Sequence, residues 1–280
     1  MATEYVLGTG RDELERLGLQ HRLWSDATHA AWRRAGLRQG HRVLDIGSGP
    51  GFASFDLAQI VGRTGSVVGV DESAPFINHL NAQALSRGLD RLKGIVADVQ
   101  NLAAAANLGD AVDHLRVGSF DLAYQRWVLC FVPRPADLVA SAAEMLKPGG
   151  RFVIHDYFNY QTMTMAPRRA SHDKAVAATI ASWRSRGGDP DIAGRLPRIL
   201  HEQGFTVDHI DAHQRLARGH DTMFHWPDVW WRTYAPKLVQ MGLLKQADCD
   251  ELFADLEQIA KSPTDFVVMP PVFEIIATKR

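Results

Sequence analysis

Val43-Leu44-Asp45-Ile46-Gly47-Ser48-Gly49-Pro50-Gly51 is the stretch that decides the fold. Three apolar residues around an acid suit a strand buried in a parallel sheet. The alternating glycines suit a turn pressed against a ligand, since a residue without a side chain lets the backbone approach closely. Beyond it, Phe52, Phe55 and Ile60 fall near helical spacing, so the segment reads strand, glycine turn, helix. A nucleotide-type pocket is the expectation.

The spacing separates two kinds of pocket. Dinucleotide-binding turns run G-x-G-x-x-G, whereas Gly47, Gly49 and Gly51 run G-x-G-x-G with Asp45 two residues ahead. Twenty residues past Gly51, Val67-Val68-Gly69-Val70-Asp71 is a second apolar strand that ends in an acid. A carboxylate there is placed to accept two ribose hydroxyls.

With these residues in order, the chain resembles the class I S-adenosylmethionine-dependent methyltransferases. The resemblance extends through Ile95-Val96-Ala97-Asp98, Phe120-Asp121-Leu122-Ala123-Tyr124 and Leu146-Lys147-Pro148-Gly149-Gly150-Arg151-Phe152-Val153-Ile154, covering residues 40–156. It implies an α/β, Rossmann-like, doubly wound and mostly parallel seven-stranded sheet, here with helical cap insertions. It also implies S-adenosylmethionine as cofactor, with S-adenosylhomocysteine as product.

The resemblance assigns roles by position. Asp45 helps hold the methionine amino group beside Gly47, Ser48, Gly49 and Gly51. Asp71, with Glu72 and Ser73, meets the ribose, and Asp98 with Val99 meets the adenine. Bland readings stand beside these: Asp71 as a helix cap and Asp98 as a turn former. Arg126 is a candidate for the methionine carboxylate, which a guanidinium can grip with two parallel hydrogen bonds, or else it binds an interior acid. Gln20 joins the cofactor set from the N-terminal helix.

The fifth strand ends at His155-Asp156-Tyr157. Imidazole titrates near neutrality, so His155 is the leading candidate for a general base, though strand alternation lets only one of His155 and Asp156 face the site. His21, Trp24, Trp127 and Trp230 are the candidate acceptor contacts, because ligand sites combine aromatic walls with a few polar groups. The alternative is that such residues anchor helices.

The rest of the chain divides around this core. Residues 1–10 are expected to be irregular, and a helix from Asp12 to about Arg34 puts Leu14, Leu17, His21 and Trp24 on one face. Residues 1–36 are thus an N-terminal helical lid, 37–156 the cofactor-binding core and 157–200 a cap insertion. Residues 201–280 carry the last sheet strands with a helical, Trp-rich cap between them. The family normally joins those two strands by a short hairpin, so the roughly 50-residue connection here is a departure.

Composition bounds the partners. With 31 basic and 32 acidic residues the net charge is -1, so no global field draws the chain to nucleic acid or an anionic membrane. No run of about 18 apolar residues occurs, and no signal-like segment opens the chain. Cys130 and Cys249 form no C-x-x-C pair, which points to the cytoplasm. No metal is expected, since His209 and His213 sit too far apart along one strand and no HExxH accompanies them. An exposed Trp-rich segment would suit a homodimer.

The function expected is methyl transfer to an O, N or C nucleophile of a small molecule. The alternatives are a protein or RNA methyltransferase, a nicotinamide-dependent oxidoreductase and a non-catalytic cofactor-binding module.

Overall fold

Nearly continuous apolar runs need covering on both faces, and that requirement organises the molecule. The computed structural model describes residues 10–107 and 114–280. The expected irregular N-terminus lies outside them except for Gly10. In chain order the core elements are α1 (Arg11–Arg34), β1 (Arg42–Ile46), α2 (Phe52–Val61), β2 (Ser66–Asp71), α3 (Ala74–Ser86), β3 (Leu92–Val96), α4 (Leu102–Ala105), β4 (Phe120–Arg126), α5 (Pro135–Met145) and β5 (Leu146–Tyr157). Then follow β6 (Thr164–Ala166), α6 (Ala170–Arg184), α7 (Leu196–Glu202), β7 (Phe205–His213) and β8 (Leu216–Arg218). The last elements are α8 (His225–Gln240), α9 (Gln246–Lys261), β9 (Phe266–Val268) and β10 (Val272–Lys279).

Seven strands form one sheet in the order β3-β2-β1-β4-β5-β10-β7. The first five are parallel, and β10 runs antiparallel to both β5 and β7. Strand alternation divides the core. Val43, Leu122, Tyr124, Val153 and Ile276 pack with Trp32, Phe55, Leu57 and Leu80. Leu44, Ile46, Val70, Ala123, Phe152 and Ile154 pack on the other face with Leu138, Val139 and Met145. The strand order reverses between β1 and β4, and ligands in such sheets bind beyond the carboxyl ends at that reversal.

The connection from β7 to β10 holds β8, α8, α9 and β9. Strands β6, β9 and β8 form a small antiparallel sheet that the sequence reading did not anticipate. Each is three residues long, too short for an alternation pattern to register. The Trp-rich helix α8 turns inward, contrary to the exposed segment expected: Trp226, Trp231 and Tyr234 are buried. The argument for a homodimer through that segment therefore falls away. No helix among the described residues is long and apolar enough to cross a membrane.

Candidate active site

The glycine turn forms the floor of the site because its backbone adopts angles that side chains oppose. Gly47 has φ +67° and Gly51 φ +94°. A methyl group at Gly47 would run into Val128, and one at Gly51 would lie 2.7 Å from Leu80 Cγ. Gly51 caps α2 from the left-handed region, which turns the first helix amides toward the strand ends.

Asp45, Gly47, Ser48, Gly49, Asp71, Glu72, Asp98, Val99, Arg126 and Gln20 line one cavity of about 1270 Å³. Of the residues expected to hold the cofactor, Gly51 and Ser73 do not line it: Gly51 packs on Leu80, and Ser73 Oγ caps α3 by accepting from the Phe76 amide. Asp71 accepts the Gly49 amide at 2.8 Å and the Ser73 amide at 2.9 Å, so it braces the turn and leads into α3. Burial pushes its carboxyl above the usual range, as it does for Glu72, whose neighbours Asp71 and Asp98 add repulsion. Asp98 accepts the backbone and side-chain amides of Gln100 at 2.9 and 3.2 Å.

Asp45 is 2% exposed and accepts from Ser54 Oγ at 2.5 Å. Burial pushes its carboxyl up to about 7, against the hydrogen bond from Ser54 and the positive charge of Arg126. Between the ordinary value and about 7, the folded protein holds a proton that the unfolded chain releases, so the ligand-free fold loses stability as pH rises through that window. Asp45→Asn should therefore match wild type near pH 4 and exceed it by more than about 1 kcal/mol at pH 8. Urea unfolding at both pH values tests this. An equal gap at both would mean that Asp45 is ionised throughout.

Arg126 meets α1 rather than an interior acid. Its guanidinium donates to Thr28 Oγ1 at 2.9 Å, lies 3.2 Å from His21 Nδ1 and sits 4.9 Å over the Trp127 ring. His21 is accordingly not an acceptor contact. It bridges Arg126 and Asp56, whose Oδ2 is 3.1 Å from Nε2, and burial holds its imidazole below the usual value. Gln20 accepts from Arg16 and from the Trp226 indole, each at 3.0 Å, which ties α1 to α8.

Trp127 and Trp230 line the cavity, as does Tyr157, whereas Trp24 stands one layer behind, edge-on to Trp127 and Trp226. Trp127 lies nearly parallel to Tyr157 and Trp226. Sequence reasoning missed Arg16, Tyr160, Trp183 and Lys237 as lining residues. Arg16 had a signal, four residues before Gln20 on one helix face.

His155 and Asp156 face opposite sides of the sheet, and neither lines the cavity. His155 is 1% exposed against Tyr124 and Glu274. Asp156 is fully buried, accepts the Cys130 and Tyr157 amides and the Gln125 side chain, and is pushed up by burial to about 6. The expected general base is therefore not at hand. Beyond the acids at the ends of β1, β2 and β3 (Asp45, Asp71, Glu72 and Asp98), the described lining residues include no carboxylate or imidazole. Burial also pushes the Tyr157 and Tyr160 phenols up, so neither is a base at neutral pH.

Comparison with known proteins agrees with this geometry. Residues 37–218, more than half of the chain, match the family model described as a methyltransferase domain. The chain is 33% identical over 146 residues to the ubiquinone/menaquinone biosynthesis C-methyltransferase UbiE of Stutzerimonas stutzeri, covering 50% of this chain and 52% of that one. Against the UbiE of Ectopseudomonas mendocina it is 34% identical, with the same coverage. The chain thus spans about half the length of these curated relatives. Among solved structures, the YcgJ protein of Bacillus subtilis matches with a TM-score of 0.58 at 15% identity, over 90% of this chain and 99% of that one. The geranyl diphosphate C-methyltransferase of Streptomyces coelicolor matches with 0.55 at 15% identity, over 93% and 82%. Together with the Gly47 to Gly51 turn and the acids at the strand ends, the family match places this chain among the class I S-adenosylmethionine-dependent methyltransferases.

Proposed function

We propose that this protein transfers the sulfonium methyl group of S-adenosylmethionine to a nucleophilic oxygen, nitrogen or carbon of a ring-bearing or otherwise apolar small molecule. The observation that carries the reading is a single cavity that joins the glycine turn to an aromatic chamber made by Trp127, Tyr157, Tyr160, Trp183, Trp226 and Trp230. Small-molecule sites combine such walls with a few polar groups. Arg186 and Lys237 bring positive charge to the chamber, which favours an acceptor with an anionic substituent.

The sulfonium is already an activated electrophile. The protein's task is to align nucleophile, methyl carbon and sulfur and to exclude water. With no carboxylate or imidazole in the chamber, the acceptor brings its own nucleophile, such as an electron-rich carbon or an ionised oxygen. On this reading Asp45 and Arg126 serve the amino acid end of the cofactor, Asp71 the ribose and Asp98 the adenine. Helix α1 is the roof of the chamber, and the 157–200 segment with α8 forms its far wall. Two buried free cysteines, Cys130 and Cys249, fit a reducing cytoplasm.

Calorimetric titration with S-adenosylhomocysteine and, in parallel, NAD tests the cofactor. Micromolar binding of the first and none of the second is the expected result, followed by methyl transfer to members of a panel of arene carboxylates and phenols. Binding of NAD alone would overturn the reading, and binding of neither would favour a non-catalytic module.

A further inference from the structure

Outside the cavity, the antiparallel side of the sheet gathers a second set of chemistry-bearing side chains. Glu274 on β10 is fully buried and stands opposite His155 on β5. His213 Nε2 lies 3.1 Å and His155 Nε2 3.7 Å from Glu274 Oε2, while His209 Nε2 lies 3.6 Å from Oε1. Arg34, from the end of α1, also pairs with Glu274. Burial alone would raise the Glu274 carboxyl, but the surrounding imidazoles and guanidinium hold it well below the usual range.

Pairing with Glu274 accounts for the carboxylate and for His213 Nε2, but it brings neither His155 nor His209 within hydrogen-bond distance. His155 is 1% exposed, yet neither of its ring nitrogens has a hydrogen-bond partner, and the buried Nε2 of His209 also lacks one. Buried polar atoms are normally satisfied. Donor atoms of His155, His213 and Glu274 all lie within 4.8 Å of one another.

We propose that His155, His213 and Glu274 form a binding site for a divalent transition metal of the Zn2+ type, with water as a fourth ligand. Two imidazoles with one carboxylate, and no thiolate, is a donor set suited to Zn2+ with water in the open position. Expecting no metal from the His209 and His213 spacing considered one strand only. The site draws its donors from three strands, β5, β7 and β10.

A tetrahedral ion about 2.1 Å from each donor holds its ligands roughly 3.4 Å apart, so the widest pair must close by up to about 1.4 Å. Rotation of His213, whose side chain is 24% exposed, supplies that movement. Arg34 must withdraw, and at 40% exposure its side chain has solvent to enter. Metal and guanidinium therefore compete for one carboxylate.

The competition gives the test its two arms. Chelator-treated full-length protein is titrated with ZnCl2 by calorimetry and with CoCl2 by visible absorption, while circular dichroism and S-adenosylhomocysteine binding report on the fold. The expected result is one Zn2+ per chain at micromolar affinity or better, with the d–d bands of a four-coordinate cobalt site. His213→Ala should weaken binding about tenfold or more, and Arg34→Gln should tighten it by roughly threefold or more through loss of the competing cation. Absence of saturable binding in the wild type would overturn the proposal. So would equal affinities across wild type, His213→Ala and Arg34→Gln, because exposed histidines elsewhere would then be taking the metal.

Discussion

Trp127→Ala is expected to destabilise the protein by about 3 to 5 kcal/mol, the range for truncating a large aromatic in a packed interior. Trp127 is 8% exposed, lies 5.9 Å from the Tyr157 ring and 5.7 Å from that of Trp226, and meets the edge of Trp24 at 5.5 Å. Removing it breaks contacts among three rings at once and merges their space with the cavity. The backbone adds a discriminating arm. Trp127 has φ +54°, a conformation that costs an L-residue roughly 1 to 2 kcal/mol and glycine almost nothing. Trp127→Gly should therefore be the milder lesion, by about 1 kcal/mol, despite removing one more carbon. Urea unfolding of both variants decides it, and the reverse order would mean that the left-handed conformation is not strained.

Asp71→Ala should weaken S-adenosylhomocysteine binding by about 1.5 to 3 kcal/mol, or roughly 13- to 160-fold, the cost of leaving ligand donors unpaired. The carboxylate already accepts the Gly49 and Ser73 amides, and a carboxylate has about four acceptor positions, so bracing the turn leaves capacity for two ribose hydroxyls. Calorimetry measures the loss, and thermal unfolding of the ligand-free variant controls for the turn. If stability falls while affinity survives, Asp71 serves the fold alone. The helix-capping role open to Asp71 in the sequence belongs to Ser73.

The parallel half of the sheet was legible because each strand is an apolar run and each turn is marked by glycine or proline. Helix α1 begins one residue earlier than expected and ends at Arg34 as expected. The glycine turn and the acids at the ends of β1 and β2 were legible for the same reason, being fixed by local spacing. What sequence could not show depends on which way a side chain points once strands pair. His155 and Asp156 were known to face opposite ways, but not that both would miss the cavity. Trp226, Trp231 and Tyr234 are buried while Asp228 and Arg232 on the same helix pair toward solvent, a polar face that the sequence reading did not weigh. The metal-type cluster is a product of register: Glu274 meets His155 because β10 pairs antiparallel with β5.

Helix α1 is fastened along its whole length. Gln20 holds Trp226, Thr28 holds Arg126, and Arg215 reaches the Leu23 carbonyl at 2.6 Å and Asp26 at 2.7 Å, while Arg34 grips Glu274. A segment that opens readily is one with few such ties. Opening α1 would have to break these ties together, and the lining residues exposed to solvent outside it are Glu72, Asp98, Phe131, Pro133 and Arg186. If cofactor and acceptor share the opening there, whichever enters last bars the exit of the first, and an ordered exchange would follow.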